Sequence, residues 1–345
     1  MRTLAIETSC DDTSMALVSY HDGRRTCDAM VTRAQYSHNV FGGVVPNQAS
    51  EEHARVILDV RKELCEGNPD AVMKTVDCIS VTTTPGLPGS LTIGRVAAHT
   101  LGSRFDKPLV AVNHLDGHAF SCLLERHDHD CPFPALVLSV SGGHSDLIAI
   151  SKQSLPALES FPVRHCGPWS LFSLGSTRDD AVGEVFDKVA RALGGPYPGG
   201  KRLDDQAATY HPPQDETNPF TKPKGFAGSL DFSFSGIKSQ VIGSLTNVAL
   251  TTQTITRTAY RFQDRVVDTL LHHLDQAVAI CNPQSIMIVG GVSANTRLRH
   301  SVQERSSKKN ISLFFPYHLR YCVDNAAMIG VAGLIQWQHT QANVF

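Results

Sequence analysis

The stretch Leu4-Ala-Ile-Glu-Thr-Ser-Cys-Asp-Asp-Thr-Ser-Met-Ala-Leu-Val18 sets apolar segments on either side of a short run rich in Ser, Asp and Thr. Apolar flanks favour extended chain and small polar residues favour a turn, so the pattern reads as strand, turn, strand. The form returns in Leu136-Val-Leu-Ser-Val-Ser-Gly-Gly-His-Ser-Asp-Leu-Ile-Ala-Ile150. Two such hairpins about 130 residues apart point to a duplicated fold with a ligand between two lobes.

Between the hairpins, Val76-Asp-Cys-Ile-Ser-Val-Thr82 reads as a buried strand, followed by a helix over 91–104 with Ile93, Val96, Ala97, Thr100 and Leu101 at helical spacing. Lys107-Pro-Leu-Val-Ala-Val112 is the next strand, and a helix carrying His114 and His118 follows it. Strand alternating with helix indicates an α/β architecture. In the second half, Glu184–Leu193 has an amphipathic pattern stopped by Gly194-Gly195. A long helix is expected over 257–281, then a strand at Ser285-Ile-Met-Ile-Val289 that turns through Gly290-Gly291 into a helix near Asn295. The proline-bearing stretch 205–231, with Pro212, Pro213, Pro219 and Pro223, reads as a loop. The expected division is a first lobe over 1–131, a second over 132–323, and a C-terminal helix over 324–345 that packs back on the first.

The chain has 31 Lys+Arg against 33 Asp+Glu, a formal charge of −2, so any RNA contact must be a local basic patch. Nine cysteines with no Cys-x-x-Cys pair argue against a disulfide framework and a zinc knuckle, and favour a reducing compartment. The sequence opens directly into an apolar strand and contains no run long enough to span a bilayer. A cytoplasmic setting is therefore expected, with the mitochondrial matrix as the alternative if a leader has been removed.

His114 and His118 stand four apart, so on a helix both imidazoles share a face and reach one ion. With Asp324 they form a facial triad that leaves coordination positions open. Ser141-Gly-Gly-His144 offers backbone N–H groups free of side chains, which suits a phosphate or carboxylate. Gly290-Gly-Val-Ser-Ala-Asn295 follows a strand and opens a helix, a place for a nucleotide or simply a tight turn. Asp204, after the Pro198-Gly-Gly200 turn, suits ribose hydroxyls, and Asp187 sits on the helix before it; a solvated acidic face is the alternative for both.

Several runs taken together resemble the TsaD/glycoprotease (Kae-type) family of tRNA threonylcarbamoyl transferases. They are Ile6-Glu-Thr-Ser-Cys-Asp11, Gly42-Gly-Val-Val-Pro46, His114-Leu-Asp-Gly-His118, Val140-Ser-Gly-Gly-His144, Phe186-Asp-Lys188, Pro198-Gly-Gly200, Phe232-Ser-Phe-Ser-Gly236, Gly290-Gly-Val-Ser-Ala-Asn295 and Asp324-Asn325. The resemblance covers the chain from residue 3 to about 335 in the family's order. It implies an actin-like, two-lobed ASKHA fold with duplicated mixed sheet-and-helix domains and an interlobe cleft. It also implies transfer of threonylcarbamoyl from threonylcarbamoyl-AMP to N6 of adenosine 37 in tRNAs reading ANN codons. Departures are Asp12 for the usual Glu, Asp116 for Glu, Ser145 for Thr, and a region over 162–178 that is longer than in many members.

Carried over residue by residue, the resemblance makes His114, His118 and Asp324 ligands of one Fe(II) or Zn(II) per subunit. It assigns Ser139, Val140, Ser141, Gly142, Gly143, Asp187, Gly200, Asp204 and Asn295 to the adenylate. Asp11 or Asp12, on the first turn, is the candidate for orienting the adenosine amine or accepting its proton, with a turn-forming role as the alternative. Expected partners are tRNA and either TsaB- and TsaE-like helper proteins or a second copy in a homodimer, with no membrane. A basic surface drawing on Lys201, Arg202, Arg297 and Arg299 is expected to guide the RNA.

Rival readings are an actin-like ATPase or sugar kinase, a protease and a nucleotide-binding scaffold. Kinases of that fold use Mg²⁺ with carboxylates and water, whereas a histidine pair suits a transition metal. Leu115 stands where a zinc protease carries its glutamate base.

Overall fold

The computed structural model describes residues 1–35, 43–222 and 228–342. Gly42, which opens one of the motifs above, and Pro223 lie outside them. By internal contacts the chain forms two compact units. The first comprises Met1–Pro132, Arg164–Ser170 and the chain from Pro316 onward; the second comprises Phe133–Val163 and Leu171–Phe315.

In the first unit a five-stranded mixed sheet has the order β3-β2-β1-β4-β5. Its strands are β1 (Arg2–Glu7), β2 (Thr13–His21), β3 (Arg24–Arg33), β4 (Cys78–Thr84) and β5 (Leu109–Asn113). The hairpin read from residues 4–18 is present: β1 and β2 pair antiparallel from Arg2↔Ser19 to Glu7↔Ser14. Along β1 the side chains alternate between faces. Leu4 and Ile6 join a core with Met15, Leu17 and the buried stripe Ile57, Val60 and Leu64 of α1 (Pro46–Leu64). A short α2 (Pro69–Lys74) and α3 (Pro88–Phe105) follow, and Ala98 and Leu101 of α3 complete this core.

Ala5 faces the opposite way, toward the C-terminal helix, Ala326–Ala342. This helix lies directly on the sheet because it lacks side chains at the contact. A Cβ on Gly330 would sit 2.5 Å from Val18 Cγ2, and one on Gly333 would sit 2.6 Å from Ser80 Cβ. Interiors packed to crystal density leave no room for either methyl group.

The second sheet has the order β11-β10-β6-β7-β9-β8. Its members are β6 (Ala135–Val140), β7 (Ser145–Ser151), β8 (Val163–Cys166), β9 (Trp169–Ser176), β10 (Ser285–Val289) and β11 (Ser312–Phe314). The second hairpin pairs from Ala135↔Ile150 to Val140↔Ser145. The region 162–178 is occupied mainly by the β8–β9 hairpin. Helices α5 (Val182–Ala192), α6 (Gly200–Ala208), α7 (Ser235–Ser244), α8 (Thr252–Cys281) and α9 (Thr296–Lys309) complete the second unit. Its core joins Leu136 and Leu138 with Val185, Val189, Phe262, Val266 and Leu270.

The loop expected over 205–231 starts later than the prolines suggested. Leu203 and Ala207 are one helical turn apart and both buried, so packing carries α6 through Ala208. Among the described residues no helix is long and apolar enough to cross a membrane.

Candidate active site

His114 and His118 occupy the first and fifth positions of the short helix α4 (His114–Phe120), capped by the Asn113 side chain, which accepts from Leu115 N at 2.8 Å. The residue between them that decides their placement is Gly117. A Cβ there would lie 2.8 Å from Ile329 Cδ1 and 3.1 Å from Met328 Cγ, so glycine lets α4 close on the start of the C-terminal helix without displacing either side chain. Asn325 caps that helix, its Oδ1 accepting from Met328 N at 3.0 Å, while Ala326 N donates to Ser14 Oγ at 3.0 Å. These contacts hold Asp324 against α4.

Asp324 Oδ1 is 3.0 Å from His118 Nε2 and 3.6 Å from His114 Nε2. One donor atom from each of the three residues lies within 4.8 Å of the other two. Donors bound at about 2.0–2.2 Å around one ion stand roughly 3.0–3.5 Å apart, so the set fits a single transition-metal ion with modest closure. The imidazole orientation agrees. Glu7 Oε2 is 3.0 Å from His114 Nδ1 and Ser9 Oγ is 3.2 Å from it, so Nδ1 is held as the donor and Nε2 presents its lone pair. Glu7 is itself fixed by Thr82 Oγ1, which donates to Oε2 at 2.6 Å, and by Ser9 N, which donates to Oε1.

The charges are tightly coupled. Burial opposes a charged His114, but Asp324 and Glu7 outweigh it and raise the imidazolium pKa to about 9. Burial also opposes an ionised Glu7, yet the His114 charge and hydrogen bond bring its carboxyl below the ordinary range. Asp12 is pushed up to about 8, first by burial and then by Asp11, Asp324 and Glu7. Four carboxylates near one point make an anionic pocket that a cation in the triad would neutralise.

Asp11 and Asp12 lie on the β1–β2 turn as the sequence indicated, both partly buried. The turn is pinned by His53, whose Nδ1 meets Thr13 Oγ1 at 2.7 Å and whose Nε2 meets Cys10 O at 2.9 Å. Glu7, Ser9, Thr82 and His53 were not singled out from the sequence. Only Glu7 carried a signal: an acid at the end of the apolar run Leu4-Ala-Ile is buried and must find partners.

The proposed adenylate residues all belong to the second unit. Gly142 and Gly143 are exposed at the tip of the β6–β7 turn, with nothing within 4 Å of a Cβ on either. Two other glycines fit closely around that turn. A Cβ on Gly183 would lie 2.6 Å from Ser141 O, and Gly290, at φ +88°, has the Val140 carbonyl carbon at 2.6 Å. Ser139 is buried on β6, and its hydroxyl has no partner among the described residues. Asp187 Oδ1 accepts from Gly199 N at 2.7 Å and Gly200 N at 3.0 Å, which fixes the glycine turn.

Asp204 is only 3% exposed, which removes the solvated-acid alternative for it. Its carboxylate accepts from Asn295 Nδ2 at 3.1 Å, Thr296 N at 3.1 Å and Thr296 Oγ1 at 2.9 Å. Asn295 also donates to Gln263 Oε1 at 3.1 Å and caps α9 through Leu298 N at 2.9 Å. Both polar side chains are thus engaged at the start of α9. Of the expected basic residues, Arg297 pairs with Asp264 and Lys201 with Asp205. Arg299 donates to Ser293 O at 2.7 Å and lies 4.3 Å over the Phe315 ring; Arg202 is exposed.

Solved structures share the fold at low identity. The chain matches full-length HypF in its phosphate- and nucleotide-bound form (TM-score 0.57, 11% identity, 98% of this chain and 46% of that one). It also matches a ROK family protein from Streptococcus pneumoniae (TM-score 0.51, 11% identity, 99% and 100%). These likenesses show an actin-like ASKHA fold and nothing of activity. Sequence relatives are nearer. The tRNA N6-adenosine threonylcarbamoyltransferase of Syntrophobacter fumaroxidans is 37% identical over 99% of this chain and 95% of that protein. Those of Staphylococcus aureus and Moorella thermoacetica are 40% and 39% identical over 97% of this chain and 91% of each. The family model described as "TsaD: tRNA N6-adenosine threonylcarbamoyltransferase" matches residues 26–160 and 169–331, its gap falling in the region that reads as longer than in many members. The chain belongs to the TsaD family of tRNA N6-adenosine threonylcarbamoyltransferases.

Proposed function

We propose that this protein transfers the threonylcarbamoyl group of threonylcarbamoyl-AMP to N6 of adenosine 37 in tRNAs reading ANN codons, releasing AMP. The observation that carries the reading is the His114, His118, Asp324 set, held with its Glu7 support in a chain of this family. We assign the set to one Fe(II) or Zn(II), which when bound supplies Lewis-acid polarisation of a substrate oxygen.

The remaining work falls to the chain's own residues. In the transfer, N6 forms a bond to the carbamoyl carbon, the bond from that carbon to the phosphate oxygen of AMP breaks, and N6 loses a proton. Asp12 is the better candidate to take that proton. Its raised pKa makes its carboxylate a stronger base than an ordinary one, and Asp11 beside it helps to keep it so. Glu7 and Ser9 hold the His114 tautomer. Backbone N–H groups of Gly142 and Gly143 take the adenylate phosphate, since Ser141 N already donates to His144 O at 2.9 Å, in a turn that Gly183 and Gly290 allow to sit close. Asp187 shapes the Gly199-Gly200 turn beside the ribose site, and Asp204 with Asn295 sets the start of α9. The setting is cytoplasmic, with TsaB- and TsaE-like helper proteins or a second copy of the chain as partners.

The test is to supply threonylcarbamoyl-AMP and unmodified tRNA to the chain, with and without such helpers, and to follow nucleosides and nucleotides by mass spectrometry. Equal amounts of threonylcarbamoyl-adenosine and AMP are expected. With ATP added and no helper present, its hydrolysis to ADP and the absence of modified nucleoside would overturn the reading in favour of an ATPase.

A further inference from the structure

The stretch from Pro316 to Val323 leads directly into Asp324 and presents more apolar surface than a connecting segment needs. Tyr317 is 56% exposed, Leu319 66% and Val323 49%. Cations accompany them. The Arg126 guanidinium carbon lies 5.5 Å over the Tyr317 ring, its Nη1 donating to Cys122 O at 2.6 Å. His318 meets Tyr317 edge-on at 4.9 Å, and Arg320, exposed at the surface, lies 4.9 Å over Tyr321. A large exposed aromatic backed by a guanidinium, with a second guanidinium, that of Arg320, on the same segment, is the composition that unpaired nucleobases stack on.

We propose that this surface, centred on Tyr317 with Leu319, Val323 and Arg126, receives single-stranded nucleotides of the RNA that flank the acceptor adenosine. The inference rests on the transfer reading above and names where the substrate is held. Its ground is continuity along the chain: the exposed Tyr317, Leu319 and Val323 run without a break into Asp324, whose carboxylate belongs to the triad. Of the basic residues expected from sequence to hold the RNA, Arg297 and Lys201 are paired with Asp264 and Asp205, whereas Arg202 is exposed.

The experiment measures tRNA affinity by fluorescence anisotropy and KM for tRNA in the transfer assay, for wild type, Tyr317→Ala, Tyr317→Phe and Arg126→Met. Tyr317→Ala is expected to weaken tRNA binding and raise KM about tenfold, the range of one lost base stack, with kcat moving far less. Tyr317→Phe, which keeps the ring, should restore both. AMP affinity and metal content serve as controls for the fold. A tRNA affinity within twofold of wild type in Tyr317→Ala overturns the inference, and so does loss of helper-protein binding with RNA affinity intact, which would make the patch a protein-docking surface. If wild type binds tRNA through Tyr317 yet forms no modified nucleoside, the transfer reading fails while the RNA surface stands.

Discussion

The two hairpins have the same frame and opposite chemistry. In each, two antiparallel strands pair over six registers, β1 with β2 and β6 with β7. The first turn carries Asp11 and Asp12 and is bordered by Glu7, whose hydrogen bonds reach His114, Ser9 and Thr82. The second, Ser141-Gly-Gly-His144, carries no carboxylate and exposes its backbone at two glycines. One turn therefore concentrates negative charge, and the other presents backbone N–H groups with no charge beside them. The turn residues thus give two hairpins of one frame different chemistry.

The sharpest way to break this contrast is at Glu7. Glu7→Gln keeps the shape but removes the charge that orients His114, and metal affinity should fall about 10- to 100-fold, as is usual for such outer partners. Metal titration with a competing chelator checks it; an affinity equal to wild type would reduce Glu7 to a packing role.

Acidity gives the next effect. With no metal bound, His114 titrates near 9, above its ordinary 6.5. A raised folded pKa adds stability that is complete below about 6.5 and disappears as pH rises through about 9. The metal-free chain should thus lose stability over that window in thermal melts. Metal binding must displace the same proton, so apparent affinity should rise up to about tenfold per pH unit toward pH 9 and then level off. A flat affinity profile would show that His114 is already neutral.

In the second unit, Asp204→Ala removes three hydrogen bonds at the start of α9 and should cost roughly 1–3 kcal/mol of stability. Calorimetric titration of AMP against the same variant separates two roles. Loss of affinity beyond what Asn295→Ala produces places Asp204 on the ribose, and equal losses make it a positioning residue for α9. The smallest effect should distinguish two neighbouring glycines. Gly183→Ala must push Ser141 aside and is expected to cost about 1–3 kcal/mol and weaken AMP binding. Gly142→Ala meets nothing within 4 Å and should leave stability within about 0.5 kcal/mol of wild type.

Both hairpins were legible in the sequence because apolar runs flanking a small polar turn are local signals, and Ser285–Val289 appears as a strand at its expected bounds. The His114/His118 spacing was legible for the same reason. What the sequence hid was long-range. No local pattern tells that Asp204 meets Asn295 ninety-one positions away, or that Gly117 packs against Met328 and Ile329. Helix α1 has Ile57, Val60 and Leu64 at helical spacing, but Val45 at its start makes no side-chain capping hydrogen bond. The prolines from Pro212 onward mark a loop, but they carry no local signal for where α6 ends at Ala208.

The central claim is that the first unit's triad is a metal centre on which transfer depends. The direct measurement is transfer of threonylcarbamoyl to tRNA by the wild-type chain, first stripped of metal with a chelator and then reloaded with Fe(II) or Zn(II) under elemental analysis. Activity that vanishes on stripping and returns in proportion to metal, reaching its plateau at one ion per chain, is the predicted result. Transfer at the full rate by the metal-free chain, or recovery equally well in His114→Ala, would contradict it.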